Sequence, residues 1–162
     1  MIVSVTFVLD LTFDPVVEYT DLKKYFSGVL PTPEVLRDVI LTIRSQKFPD
    51  LKKVGTAGSF FKNPVISHKQ YACIAKMYPE LPYYPHGNRV KVSAAWLLDK
   101  VANYKGIIDG AVGTYHAQAL VFITNGQATA DELEIFAKKI SKIIFAKTGI
   151  RLEREVCFVG EK

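Results

Sequence analysis

The sequence predicts an α+β fold, and three observations carry that prediction. Stretches of period two (residues 89–92) and of helical period (residues 133–144) both occur. They are interspersed without the strand–helix–strand spacing of a parallel sheet. Finally, 49% of the 162 residues are hydrophobic, enough for one ordinary core, with no repeat or low-complexity tract that would leave the chain unfolded.

Residues 2–11 alternate, with Val3, Val5, Phe7 and Leu9 on one face and Ser4 and Thr6 on the other, which predicts a strand whose partner lies elsewhere. Residues 13–33 make a long connection with a helical patch at 21–26, and connections of this length are often functional lids. Thr32 ahead of Pro33 and Glu34 reads as a helix start. Val35, Leu36, Val39, Ile40 and Ile43 then recur at helical spacing, predicting one buried stripe on a helix that ends near residue 46.

Residues 47–50 stop that helix, and Gly55 and Gly58 predict a flexible entry to the stretch 58–64, Gly-Ser-Phe-Phe-Lys-Asn-Pro. Residues 63–67 read as a short strand, with Ser67 capping a helix over 68–78, and residues 81–85 as a stiff aromatic loop. A strand at 89–92, an apolar helix at 94–101 carrying Trp96, a glycine-rich return at 106–113 and a strand at 119–124 follow, closed by the Asn125–Gly126 turn signal. Thr129 and Glu132 form a capping box for a helix over 130–147 whose core stripe is Leu133, Phe136, Ala137, Ile140, Ile143 and Ile144, stopped by Gly149. In the last strand, 150–159, Leu152, Arg154 and Val156 share one side and Glu153, Glu155 and Cys157 the other.

Composition narrows the function classes. No apolar run approaches the roughly 18 residues of a membrane span, and residues 1–12 lack a basic leader and a small-residue cleavage site, so neither span nor signal peptide is expected. Cys73 and Cys157 are far apart and read as free thiols of a reducing cytoplasm. His68, His86 and His116 do not sit at metal-ligand spacing, so no metal is expected.

The net charge of +5 is concentrated between residues 44 and 69, where Arg44, Lys47, Lys52, Lys53, Lys62 and Lys69 face one acid, Asp50. A cationic patch this local points to a small anionic ligand such as a phosphate group. A nucleic acid, the alternative, usually needs a broader basic face. Stretch 58–64 lies inside the window and puts a hydroxyl, a cation and an amide among two aromatics and a proline.

Read together, Lys47-Phe-Pro-Asp50, residues 55–64 (GTAGSFFKNP), residues 90–99 (VKVSAAWLLD), Gln118-Ala-Leu and residues 152–158 (LEREVCF) make the chain resemble the UDP-N-acetylenolpyruvoylglucosamine reductase family of peptidoglycan synthesis, in its loop-containing subtype. The resemblance implies a C-terminal-type substrate-binding domain over 13–162, with residues 1–12 as the terminal strand of an FAD-binding domain that this sequence does not include. No Gly-rich dinucleotide fingerprint follows any strand, in keeping with cofactor binding outside these residues. The family reaction reduces the enolpyruvyl ether of UDP-N-acetylglucosamine enolpyruvate to UDP-N-acetylmuramate with NADPH and FAD. By that resemblance this chain alone binds the UDP-sugar and does not turn it over, the alternative being a non-catalytic nucleotide-sugar or nucleic-acid module.

Residue by residue, the resemblance makes Ser59 the proton donor to the carbanion and Glu155 the group that positions or polarises the substrate carboxylate. Two carboxylates held close disfavour double ionisation, so Glu155 is expected to act as the neutral acid. Lys62 is expected to stabilise the anion left on Ser59. Tyr19 in the long connection, Lys47 and Asn63 match diphosphate contacts, Tyr84 and Lys91 the surroundings of the uridine, and Gln118 a sugar or nucleotide contact. The chain departs from the subtype at Cys157, where an arginine is frequent, and at Tyr115-His-Ala ahead of Gln118.

Overall fold

The computed structural model describes residues 2–26 and 28–158. It divides into two compact units, Met1–Gln46 and Lys47–Lys162.

In the first unit α1 (Thr20–Lys23) is a single turn that buries Leu22. Helix α2 (Pro33–Lys47) begins where Thr32 caps it, the Val35 amide donating to Thr32 Oγ1 at 3.4 Å. Its apolar stripe is only partly covered: Leu36, Val39 and Ile43 are half-buried, Val35 and Ile40 stay exposed, and no residue of the helix is fully buried. The strand expected at 2–11 does not form. Residues 2–10 are irregular and exposed, because a strand is held by ladder bonds and no described segment pairs with this one.

The second unit contains, in chain order, β1 (Gly55–Ser59), β2 (Val65–Ile66), α3 (His68–Ala75), β3 (Tyr83–His86), β4 (Arg89–Val92), α4 (Ala94–Trp96) running into a π turn (Leu97–Val101), β5 (Ile108–Asp109), β6 (Val112–Thr114), β7 (Val121–Thr124) and α5 (Ala130–Thr148). Two antiparallel sheets result, ordered β1-β7-β6-β5 and β2-β4-β3. With the helices interspersed, this is the α+β architecture expected.

Two local expectations give way. Residues 83–86 are not a loop but β3, paired with β4 from Tyr83↔Val92 to His86↔Arg89. Pro85 is tolerated because β3 is an edge strand, where one missing N–H need not break a ladder. The supposed flexible entry at 55–58 is strand β1, and there Gly55 serves close packing: a Cβ on it would come within 2.6 Å of Thr124 Oγ1. The final segment keeps its alternation, with Leu152, Arg154 and Val156 half-buried and Glu153, Glu155 and Cys157 exposed, but it forms no strand: among the described residues its one β-bridge is Phe61↔Arg154. Val159 lies outside the described residues.

The core is aromatic at its centre. Phe60 and Phe122 stack at 4.5 Å and 13°, and Phe61 and Phe136 meet Phe122 edge-on at 5.7 and 5.3 Å. Helix α5 lays Phe136, Ala137, Ile140 and Ile144 against this cluster, as its stripe requires. Its capping box is complete, with Thr129 Oγ1 accepting from the Glu132 amide at 3.2 Å and Glu132 Oε2 accepting from the Thr129 amide at 2.8 Å. Gly149 ends it at φ +69°, its amide donating to the Phe145 carbonyl at 2.8 Å.

These hydrogen bonds to Thr129 hold the Glu132 carboxyl below its ordinary value. Their contribution is therefore present above the unfolded glutamate range and lost as pH falls through the lowered value. Thr129→Ala is expected to destabilise the unit by about 1 kcal/mol, read as a lowered midpoint in urea with an unchanged slope. A midpoint that does not move would show that the box contributes nothing.

Candidate functional site

The site is built around the passage of the chain from β1 into stretch 60–62. Strand β1 pairs with β7 as Gly55↔Thr124 and Thr56↔Ile123, slips at a bulge, and resumes as Gly58↔Phe122 and Ser59↔Val121. The Thr56 hydroxyl bridges the slip, donating to the Phe122 carbonyl at 2.7 Å and accepting from the Gly58 amide at 2.9 Å. Gly58 adopts φ +68°, a left-handed backbone that favours glycine.

Ser59 ends the strand exposed, and Phe60 beside it is fully buried. At Phe60 the chain changes partners. Its amide donates to the Leu120 carbonyl at 3.0 Å, and its carbonyl accepts from the Glu155 amide at 2.9 Å. Next, Phe61 pairs with Arg154, and the Lys62 amide donates to the Glu153 carbonyl at 2.9 Å.

Backbone bonding thus sets Glu155 against Phe60, one residue from Ser59, although almost a hundred positions separate them in sequence. Gln118 arrives by the same pivot. It lies in the turn that leads to Leu120, with its amide donating to the Tyr115 carbonyl at 3.2 Å and its own carbonyl accepting from Val121 at 3.0 Å.

Lys62 is bound to Glu153: its ammonium donates to Glu153 Oε1, and both side chains are solvent-accessible. That hydrogen bond, then the charge of Glu153, with lesser contributions from Glu155 and Cys157, raises the Lys62 ammonium above the ordinary lysine value. Glu153, Glu155 and Cys157 thus all bear electrostatically on Lys62. The sequence had placed the two glutamates and the cysteine on one side of the last segment. It offered no sign that Glu153 pairs with Lys62.

Asn63 has a role that sequence reading missed. Its Oδ1 accepts from the Ala94 amide at 2.9 Å, beside Ser93, whose Oγ accepts from Trp96 at 3.2 Å, so Asn63 helps start α4. Among the described residues its NH2 donors have no protein partner, and the side chain is exposed. Lys62 and Asn63 line an open groove of about 520 Å³ together with Gln70, Arg89, Arg151 and Glu153.

Tyr84 and Lys91 are direct cross-strand neighbours in β3 and β4, and Val65 of β2 flanks Lys91 on its other side. Val90 and Val92 point into the core, so Lys91 lies on the outer face of the sheet, with Tyr84 exposed beside it. Lys47 ends α2, half-buried. The Asp50 of its motif proves structural, Oδ1 accepting from the Lys52 amide at 3.0 Å. Tyr19 belongs to the first unit, where its carbonyl accepts from the amides of Leu22 and Lys23 and its ring is exposed.

The basic window is less uniform than its composition implies. Lys53 is paired with Asp50 and Lys62 with Glu153. What the arrangement offers chemically is a hydroxyl and a carboxyl on adjacent backbone, an ammonium on the next residues, and amide and guanidinium donors along a groove. These are the parts needed to hold an anion and deliver a proton.

Residues 49–159 match the family model described as UDP-N-acetylenolpyruvoylglucosamine reductase, C-terminal domain. Among curated proteins, the UDP-N-acetylenolpyruvoylglucosamine reductase of Pseudoalteromonas atlantica is 37% identical over 163 residues, covering all of this chain and 46% of the relative. That of Paraburkholderia phymatum is 38% identical over 164 residues, 97% of this chain and 47% of the relative. That of Porphyromonas gingivalis is 39% identical over 145 residues, 88% and 43% respectively. The chain thus spans just under half the length of the relatives it matches.

Proposed function

Because the chain belongs to the UDP-N-acetylenolpyruvoylglucosamine reductase family, matching its C-terminal domain, we propose that it is the substrate-binding and proton-donating part of a reductase acting on UDP-N-acetylglucosamine enolpyruvate. The observation that carries this reading is the pivot at Phe60, which gathers Ser59, Glu155 and the Gln118 turn from three distant segments. The whole protein would work in the cytoplasm, in peptidoglycan synthesis, with FAD and NADPH as redox partners.

The groove at Lys62 does not fit the flavin itself. It is lined without any aromatic side chain, and no Gly-rich phosphate loop follows a strand. No step is therefore derived through flavin or nicotinamide, and what falls to these residues is the anion and the proton.

Reduction of an enolpyruvyl ether adds hydride to the terminal carbon and leaves an electron pair on the carbon next to the carboxylate, delocalised as an enolate. Glu155 positions that carboxylate and helps draw charge onto it. Ser59 Oγ–H then supplies the proton, forming the new C–H bond and leaving an alkoxide that regains its proton from water. A free hydroxyl is a poor acid, so the alkoxide needs nearby donors, and Lys62 is the cation of the same stretch. Tyr84 and Lys91 on the outer sheet face hold the uridine. Lys47 and the amide of Asn63 hold the diphosphate, and Gln118 the sugar or nucleotide.

The binding half is testable with the chain as it is. Titration with UDP, followed by calorimetry and NMR, is expected to show weak binding that shifts the signals of Asn63, Tyr84 and Lys91. Silence at millimolar UDP would overturn the proposal.

A further inference from the structure

The groove beside Lys62 contains a conflict of charge that the proposed reaction does not explain. Three of its lining residues, Lys62, Arg89 and Arg151, are cations, and Glu153 is the one carboxylate among them. Two of the cations are tethered within the protein: Arg89 Nη2 donates to the Val65 carbonyl and the Arg151 guanidinium lies 4.6 Å over the Phe145 ring. Lys62 instead spends its charge on Glu153.

That pair is placed so that it can open. The Lys62 amide and the Glu153 carbonyl are joined by a 2.9 Å backbone bond, so both residues keep their positions whether or not the side chains touch. The side chains are largely in water, where an ion pair is weak and readily exchanged. Beyond this bond the two segments part, one running through Asn63 and Pro64 to β2 and the other back to Gly149, and the groove lies between them.

We propose that Glu153 is an internal counter-ion: in the ligand-free protein it occupies Lys62, and a phosphate-bearing ligand displaces it. Glu153 is then a residue that sets the affinity of the groove for anions by competing with them, and it lowers that affinity in its resting role. The inference rests on the reading that Asn63 serves a phosphate-bearing ligand, and it extends that role to Lys62 beside it.

The test is a calorimetric titration with inorganic pyrophosphate at low and high salt, using the unchanged chain, Glu153→Gln, Lys62→Ala and the double variant. Since Glu153 is exposed and the ladder uses only its backbone, Glu153→Gln keeps the fold. It is expected to bind pyrophosphate about two- to five-fold tighter, with the gain shrinking in high salt and largely gone when Lys62 is already alanine. Equal or weaker binding by Glu153→Gln, a gain that persists in full without Lys62, or no binding by either form would overturn the proposal. The parallel UDP titration separates the two ideas. UDP binding without any Glu153→Gln gain sinks the counter-ion alone, whereas the expected pyrophosphate behaviour with no response to UDP sinks the nucleotide-sugar reading and leaves the counter-ion standing.

Discussion

Ser59→Ala is expected to lower turnover of the full-length reductase by about 10²- to 10⁴-fold, the range that a positioned proton donor contributes, while UDP affinity stays within error. The separation follows from where the residue sits. Ser59 is exposed at the end of β1, held there by its pairing with Val121, and its side chain takes no part in the core, so its loss should remove a proton and little else. Ser59→Thr keeps the hydroxyl and suits a strand, and should retain far more activity than the alanine variant. Steady-state rates with UDP-N-acetylglucosamine enolpyruvate check both. Unchanged turnover in Ser59→Ala would reassign the proton to another group.

Phe60→Ala carries the largest expected effect on stability, about 3–5 kcal/mol. Its ring is fully buried, stacked on Phe122 and edge-on to Phe61 at 5.1 Å, so truncation opens a cavity in the middle of the aromatic cluster. The damage should reach the site as well, since Phe60 is where the Leu120 turn and Glu155 are both attached. Urea unfolding measures the loss. A shift in midpoint no larger than that of a surface substitution would mean that the cluster is not the keystone of the unit.

What could be read in the sequence was whatever local chemistry decides. The Thr129–Glu132 box, the Gly149 stop and the stripe of α5 announce themselves within a few residues, and so does the in-and-out alternation of 152–157. Of the residues of the second unit nominated for the site by resemblance, five form two small groups there: Ser59, Gln118 and Glu155 around Phe60, and Tyr84 with Lys91 on one sheet face; Lys62 and Asn63 line the groove, and Lys47 ends α2.

Where sequence reasoning failed, the deciding partner lay far along the chain or was missing. Residues 2–11 have the pattern of a strand, but alternation cannot supply a neighbour to bond with. The stripe of α2 has the right period, yet it is only half-buried. Residues 83–86 look like a proline-stiffened loop until β4 pairs with them. The Lys62–Glu153 pair spans |i−j| = 91, and the use of Asn63 to start α4 spans 31, so neither leaves a local signature.

The bulge between Thr56 and Gly58 has a consequence for how the sequence may change in length. In a regular strand the side-chain direction flips with every residue, but at a bulge two residues stand opposite one, so Ala57 and Gly58 share the half-buried side while Thr56 and Ser59 are exposed. Removing the extra residue would restore the regular ladder and leave Ser59 opposite Val121, with its hydroxyl still outward and the Phe60 ring still inward. Loss of the bulged residue can therefore be absorbed without inverting the segment, whereas Gly55, packed against Thr124, and Gly58, at φ +68°, resist substitution. Here the two glycines, rather than Ala57, are the part of the sequence under constraint.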